Sequence, residues 1–271
     1  MDIDAVNWWE YAASAIDPAP WTAVVPAAGR GSRLGYDLPK ILYPVAGRPV
    51  LHWLLGFLTP NCRRLVFVLS SDGKAVVADA LERLVAGRYE IVVQENPTGM
   101  GDAVALALPV VTTPYVAVVW GDQVALRRSS VDACMRLHTG PLNADVTCPT
   151  VLCPDPYIHF ERDGDGRICG LRQRREGDVM PERGESDTGF FCFRTGLLRQ
   201  LLSESGGAVE RTGRATRESN LLPVIPLASR RGLTVISPRI MALEETVGIN
   251  SRGDAEVVEA FLWRDRGRGE H

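Results

Sequence analysis

Five valine- and isoleucine-rich runs, at 22–26, 65–70, 89–94, 115–120 and 144–152, constrain this chain more than any other feature. Helical patterns lie between them, at about 48–58, 74–86, 101–109 and 129–138. The runs lack the clean alternation of a half-exposed strand, as expected when both faces of a parallel sheet are covered. Strand–helix repetition of this kind predicts an α/β fold with a doubly wound, mostly parallel sheet. In such a sheet ligands lie at the carboxyl ends of the strands. With 271 residues, 45% of them apolar, the chain can bury one large core.

The first run opens into Val24-Val25-Pro26-Ala27-Ala28-Gly29-Arg30-Gly31-Ser32-Arg33-Leu34, and Leu38-Pro39-Lys40 follows within one loop's reach. Glycines let backbone N–H groups close around an anion, because no Cβ holds the oxygens away. Arg33 adds a planar fork and Lys40 a mobile point charge, both suited to phosphate oxygens. The segment therefore predicts a triphosphate cradle walled by Ala27, Ala28, Gly29, Gly31 and Ser32. It is not a dinucleotide fingerprint: Gly29-x-Gly31-x-x-x-Gly35 is one residue too long, and Pro39 stands where the helix would run. Nor is it a kinase-type P-loop, which needs Gly-Lys-Ser/Thr after four intervening residues.

The order G-x-G-[S/T]-R followed by P-K resembles the signature of the sugar-nucleotide pyrophosphorylases. Further segments resemble the N-acetylglucosamine-1-phosphate uridylyltransferase type within that family. Gln94-Glu-Asn-Pro-Thr-Gly99-Met100-Gly101-Asp102-Ala103 keeps the glutamine-to-glycine spacing of Q-x4-G-T-G-H-A, with Met100 for Thr and Asp102 for His. Tyr115-Val-Ala-Val-Val-Trp120-Gly121-Asp122 is a buried strand ending in Gly-Asp, and Val247-Gly248-Ile249-Asn250-Ser251-Arg252 matches V-x-x-N-x-R. The likeness covers roughly residues 22–262. No hexapeptide repeat is present, so the β-helix acetyltransferase part of such proteins is not expected here.

The resemblance implies a Rossmann-like nucleotidyltransferase fold with a β-rich acceptor-binding insertion. It implies Arg33, Lys40 and Asp122 as catalytic groups, and Mg²⁺ held by Asp122 and Asn250. Gln94, Gly99, Met100 and Gly121 would join the cradle in holding the nucleotide. Arg174, Asp187, Thr188 and Gly189 would hold the acceptor. Here the fit is loosest, with Gln173 where relatives carry an acid, Asp187 for Asn, and Ser219-Asn220-Leu221-Leu222-Pro223 departing from Y-x-T-D. The implied reaction joins an NTP, UTP first, to a sugar 1-phosphate and releases pyrophosphate. Two alternatives stay open: a cytidylyl- or guanylyltransferase acting on a non-sugar phosphate or phosphonate, and a non-catalytic sensor of NTP or sugar nucleotide. Asn250 could also simply cap a helix at 251–261.

Composition narrows the remaining classes. A net charge of −3 without a basic, aromatic-studded stripe argues against a nucleic-acid partner. The six cysteines show no C-x-x-C, which predicts buried free thiols in a reducing cytoplasm. Met1-Asp-Ile-Asp carries acids where a signal peptide needs bases, and no apolar run nears the length of a membrane span. The four histidines have no metal-ligand spacing, and no G-x-S-x-G elbow occurs.

The expected organisation is an extension at 1–21, one nucleotidyltransferase domain at 22–262 (nucleotide half about 22–150, acceptor half about 151–262), and a tail at 263–271. Trp8-Trp9 in the extension would cover the sheet or form a homo-oligomer interface. His159–Gly170 reads as two strands about an Asp-Gly turn rather than a calcium loop, which lacks its terminal Glu. The charged stretch 172–187 reads as a solvated loop.

Overall fold

The structure, a computed structural model, describes residues 15–29, 31–204 and 212–266; the expectation for Trp8-Trp9 lies outside them. The elements run β1 (Trp21–Pro26), β2 (Pro44–Val45), β3 (Arg48–Pro49), α1 (Val50–Asn61), β4 (Arg64–Leu69), α2 (Lys74–Val85), β5 (Tyr89–Val93) and α3 (Met100–Ala107). Then come β6 (Tyr115–Val119), α4 (Arg128–Thr139), β7 (Val146–Thr147), β8 (Thr150–Pro154), β9 (Ile158–Arg162), β10 (Ile168–Gln173), β11 (Arg183–Asp187) and β12 (Phe190–Arg194). The chain closes with α5 (Thr195–Ser203), α6 (Val224–Arg230), β13 (Val235–Ile236) and α7 (Arg252–Arg266).

Seven strands form the main sheet in the order β13-β7-β12-β6-β1-β4-β5. β1 pairs in parallel with β4 and β6, and β4 with β5. β12 alone is reversed, running antiparallel to both β6 and β7. Because β12 and β13 come from the second half of the chain, both halves share one sheet.

The unbroken apolar strands have the physical cause that the sequence suggests. Along β1, Ala23 and Val25 face one core while Val24 faces the other. Leu65, Phe67 and Leu69 of β4 likewise face the first core, and Val66 and Val68 the second. Helices α1, α2, α4 and α7 cover one face, and α3, α5 and α6 the other. Each buried Val or Phe contributes about 1.5–3 kcal/mol, so a polar residue on either face of these strands would be costly.

Two readings of the sequence need correction. The run 144–152 is not one strand. Pro149 divides it: β7 stays in the main sheet, and β8 pairs with β11 outside it. The stretch 172–187 is not wholly solvated, since Glu176, Glu185, Ser186 and Asp187 are buried. Glu176 accepts hydrogen bonds from the Ala215 and Thr216 N–H groups, and Glu185 from Thr150 Oγ1 and Arg162 Nε. The Asp163–Gly166 turn forms as expected, with Asp163 Oδ1 accepting the N–H groups of Asp165 and Arg167. No described helix is long and apolar enough to cross a membrane.

Candidate active site

The chain reverses its winding direction at β1, with β4 and β5 laid on one side and β6 on the other. A crevice opens at such a switch point, outside the carboxyl ends of the strands. Here it is a cavity of about 760 Å³. Its floor is fixed by strand-end hydrogen bonds: Ala27 N–H to Val68 O at 2.8 Å and Gly121 N–H to Pro26 O at 3.1 Å. Gly121 lets the two strand ends meet, because a Cβ there would lie 2.7 Å from Pro26 O and 2.8 Å from Ala27 Cβ.

Ala27, Ala28, Gly29, Arg33 and Lys40 line this cavity, but Gly31 and Ser32 do not. Gly31 is buried beneath Tyr36, where a Cβ would stand 3.1 Å from Tyr36 O. Its carbonyl accepts the Leu34 and Tyr36 N–H groups, so it shapes the turn instead of walling it. Ser32 starts a short 3-10 turn and points to solvent. The Lys40 N–H donates to Gly29 O at 3.3 Å, bringing the lysine back to the first glycine.

Four polar groups converge at the cavity's centre. Lys40 Nζ donates to Asp122 Oδ2 at 2.5 Å and to Asn250 Oδ1 at 3.1 Å. Arg33 Nη2 reaches the same Asn250 oxygen at 3.3 Å. Asn250 does not cap α7. Ser251 and Asp254 do so reciprocally: Ser251 Oγ accepts the Asp254 N–H at 3.2 Å, and Asp254 Oδ2 accepts the Ser251 N–H at 2.8 Å. That frees the Asn250 amide to face Lys40. The Ile249 N–H donates to Asp122 O at 3.1 Å, and a Cβ on Gly248 would lie 3.1 Å from Asp122 Oδ1. The two segments are thus pinned together, with glycine giving the clearance.

Asp122 and Asn250 fit a magnesium ion. Their oxygens share one ammonium, so they converge on one point, and both are the hard donors that Mg²⁺ prefers. Among the described residues no three His, Cys, Asp or Glu side chains gather as a metal site. This suits an ion that completes its shell with substrate phosphates and water.

Gln94, which the resemblance assigns to the nucleobase, is buried after β5. Its Nε2 donates to Thr98 Oγ1, Gly99 O and Asp102 Oδ2, at 3.3, 3.2 and 3.2 Å. Gly99 and Met100 line the cavity. The Gly101 amide is engaged elsewhere, donating to Ser219 O at 2.9 Å, and so does not face a base. Gly99 has φ +113°, and a Cβ would lie 2.3 Å from Ser219 O. The glycines here therefore let α3 dock against the Ser219–Asn220 backbone.

The acceptor side is placed differently from expectation. Arg174 lies outside the cavity, paired with Asp155 and with Pro156 O. Arg175 lines it instead and donates to Glu218 at 3.1 Å. Asp187 lines the cavity, whereas Thr188 and Gly189 do not. Gly189 holds the turn before β12 at φ +71°, with its carbonyl accepting the Trp120 N–H at 2.9 Å. Gln173 also lines the wall and accepts a hydrogen bond from Asn220 Nδ2. Trp120, Gln123, Tyr157 and Arg175 are cavity residues that sequence reasoning did not select. No local pattern marked Arg175 or Tyr157, since β10 gives way to a 3-10 turn at Arg174–Glu176.

The MobA-like NTP transferase domain model matches residues 23–163. Bifunctional protein GlmU of Carboxydothermus hydrogenoformans is 31% identical over 233 residues, covering 84% of this chain and 50% of that protein. The chain spans about half the length of the curated relatives it matches. A solved structure from T. maritima, an inositol-1-phosphate CTP transferase, superposes with a TM-score of 0.66 at 18% identity, over 92% of this chain and 98% of the other. A Bacillus anthracis protein described as a candidate glucose-1-phosphate thymidylyltransferase gives a TM-score of 0.71 at 15% identity, over 90% and 96%. The family model spans about half of the chain and the relatives of 30% identity or more cover most of it, so the chain belongs to the MobA-like NTP transferase family.

Proposed function

We propose that the chain joins an NTP, UTP first, to a sugar 1-phosphate, giving a nucleotide sugar and pyrophosphate. One observation carries this reading: Arg33, Lys40, Asp122 and Asn250 meet at the mouth of the glycine turn. A phosphate oxygen of the acceptor attacks the α-phosphorus in line, the bond to the β-phosphate breaks, and pyrophosphate leaves. No protein nucleophile takes part, so catalysis rests on positioning and charge.

The backbone N–H groups of Ala28 and Gly29 and the Arg33 guanidinium hold the β- and γ-phosphates. Lys40 lies across the α-phosphate, where charge grows on the equatorial oxygens. Mg²⁺, when bound by Asp122 and Asn250, would neutralise phosphate charge and ease the approach of two anions. The Asp122 carboxylate also orients the Lys40 ammonium through their 2.5 Å contact.

The base preference follows from Gln94. Three acceptors fix its Nε2 side, which leaves Oε1 to accept. An acceptor suits the imide N–H of uracil and opposes the bare ring nitrogen of cytosine.

A panel of the common NTPs with Mg²⁺ and sugar 1-phosphates, read by pyrophosphate release, tests the reading. Turnover is expected, with UTP preferred. Lys40→Ala and Asp122→Ala should each lose at least roughly a hundredfold while remaining folded, as for one lost electrostatic donor. Wild-type-like turnover in either variant removes that residue from the mechanism. Silence across the whole panel removes the transferase reading.

A further inference from the structure

Four carboxylates line the cavity, and three are matched inside the protein. Asp122 meets Lys40, Glu218 meets Arg175, and Asp254 accepts the N–H groups of Asn250 and Ser251. Asp187 differs. It is only 7% exposed, and Oδ1 accepts the Gly189 N–H at 2.7 Å. Among the described residues no lysine or arginine pairs with it. A carboxylate taken out of water without a cation is costly unless a ligand supplies the missing charge. Burial, with the like charge of Asp122 adding to it, pushes the Asp187 carboxyl up to about 6, the direction expected of a carboxylate that lacks a cation.

The surroundings define what that ligand group is. An ionised carboxylate only accepts hydrogen bonds, so its partner must be a donor. The turn carrying Asp187 is seated on the Trp120 indole: a Cβ on Gly189 would lie 2.7 Å from Trp120 Cδ1. Trp120 itself is half-buried and lines the cavity. A cavity lined by both an unmatched carboxylate and an aromatic side chain suits an organic cation, which gains from both. A divalent metal wants several oxygens, and among the described residues no acidic cluster forms there.

We propose that Asp187 is a specificity-determining residue, and that the phosphorylated acceptor carries an ammonium group received between Asp187 and Trp120. This rests on the transferase reading above, and its test is separable from it.

Calorimetric titrations of the full chain would use Mg²⁺ and the α,β-methylene analogues of UTP and CTP, which occupy the site without reacting. Acceptors are compared in matched pairs: glucosamine 1-phosphate with glucose 1-phosphate, and phosphoethanolamine with ethylene glycol monophosphate. In at least one pair the ammonium member should bind at least about tenfold more tightly, a 1.4 kcal/mol difference. Asp187→Asn should collapse that ratio to within about twofold of unity. Should that variant not fold, Trp120→Leu serves, with a smaller ratio than wild type expected.

Equal binding within both pairs, or no binding by either ammonium compound, overturns the proposal. So does a preference that survives Asp187→Asn in folded protein, or Trp120→Leu where that variant is the one tested. Pyrophosphate released from neutral acceptors without any preference would keep the transferase reading and sink this one.

Discussion

Replacing Gly121 by alanine tests whether the closeness of two strand ends sets the site. The added Cβ would lie 2.7 Å from Pro26 O, 2.8 Å from Ala27 Cβ and 3.1 Å from Ala27 Cα. Comfortable carbon contacts begin near 3.5 Å, so β1 and β6 must part by roughly 0.5–1 Å at their carboxyl ends. None of these neighbours is the tip of a flexible chain, so overpacking should cost about 1–3 kcal/mol. For a domain of this size that is a fall in Tm of about 2–12 °C. The same separation moves the cradle away from Asp122, and a misplacement near 1 Å lowers turnover by about a hundredfold.

The assay pairs thermal unfolding with steady-state pyrophosphate release. Gly56→Ala is the control, since a Cβ there meets nothing within 4 Å. In mid-helix it should leave activity intact and raise stability by about 0.5–1 kcal/mol. A Gly121→Ala protein that melts and turns over like wild type refutes the steric reasoning. One that melts early yet turns over normally refutes the link from strand spacing to catalysis.

Two further outcomes can be stated. Glu245 is buried, and desolvation, partly opposed by the Arg127 N–H and Ser130 hydroxyl, pushes its carboxyl from 4.5 to about 7. The unfolded chain therefore releases this proton first, and stability falls as pH rises from about 4.5 to 7. Glu245→Gln keeps one acceptor, for the Arg127 N–H, and its amide can donate to the Ser130 hydroxyl oxygen. It should remove up to about 3 kcal/mol of that decline, read by urea unfolding at several pH values; an unchanged slope counts against the assignment. Gly99→Ala combines a φ of +113° with a Cβ 2.3 Å from Ser219 O, so a loss of at least roughly 2 kcal/mol is expected. Unaltered denaturant midpoints would show that α3 does not dock there as described.

Legibility in the sequence followed the reach of the interactions. β1 and the strand leading to Gly121-Asp122 are local patterns, and their bounds fall within a residue or so of expectation. The Asn250 amide was ambiguous from sequence. Its freedom depends on Ser251 and Asp254 satisfying the helix start themselves. Arg174 and Arg175 are adjacent and chemically alike. Only the bend after β10, with Asp155 waiting outside, decides which one faces the cavity. Nothing local announces the partner of the Gly101 amide, because Ser219 O lies more than a hundred residues away. Buried Glu176 and Glu185 hid within a charged stretch because their donors arrive from Ala215, Thr216, Thr150 and Arg162.

The single reversed strand has one more implication. Since β12 runs against β6, its first residue pairs with the last of its neighbour, Phe190 with Val119. The loop feeding β12 therefore arrives at the edge where β6 departs, and Asp187 just before it lines the same cavity as Asp122 just after β6. A parallel β12 would have sent that loop to the far rim. Antiparallel insertion thus gives this architecture an interchangeable position: residue 187 can be rewritten while Gly189, which holds the turn at φ +71°, and the strand that delivers Asp122 stay as they are.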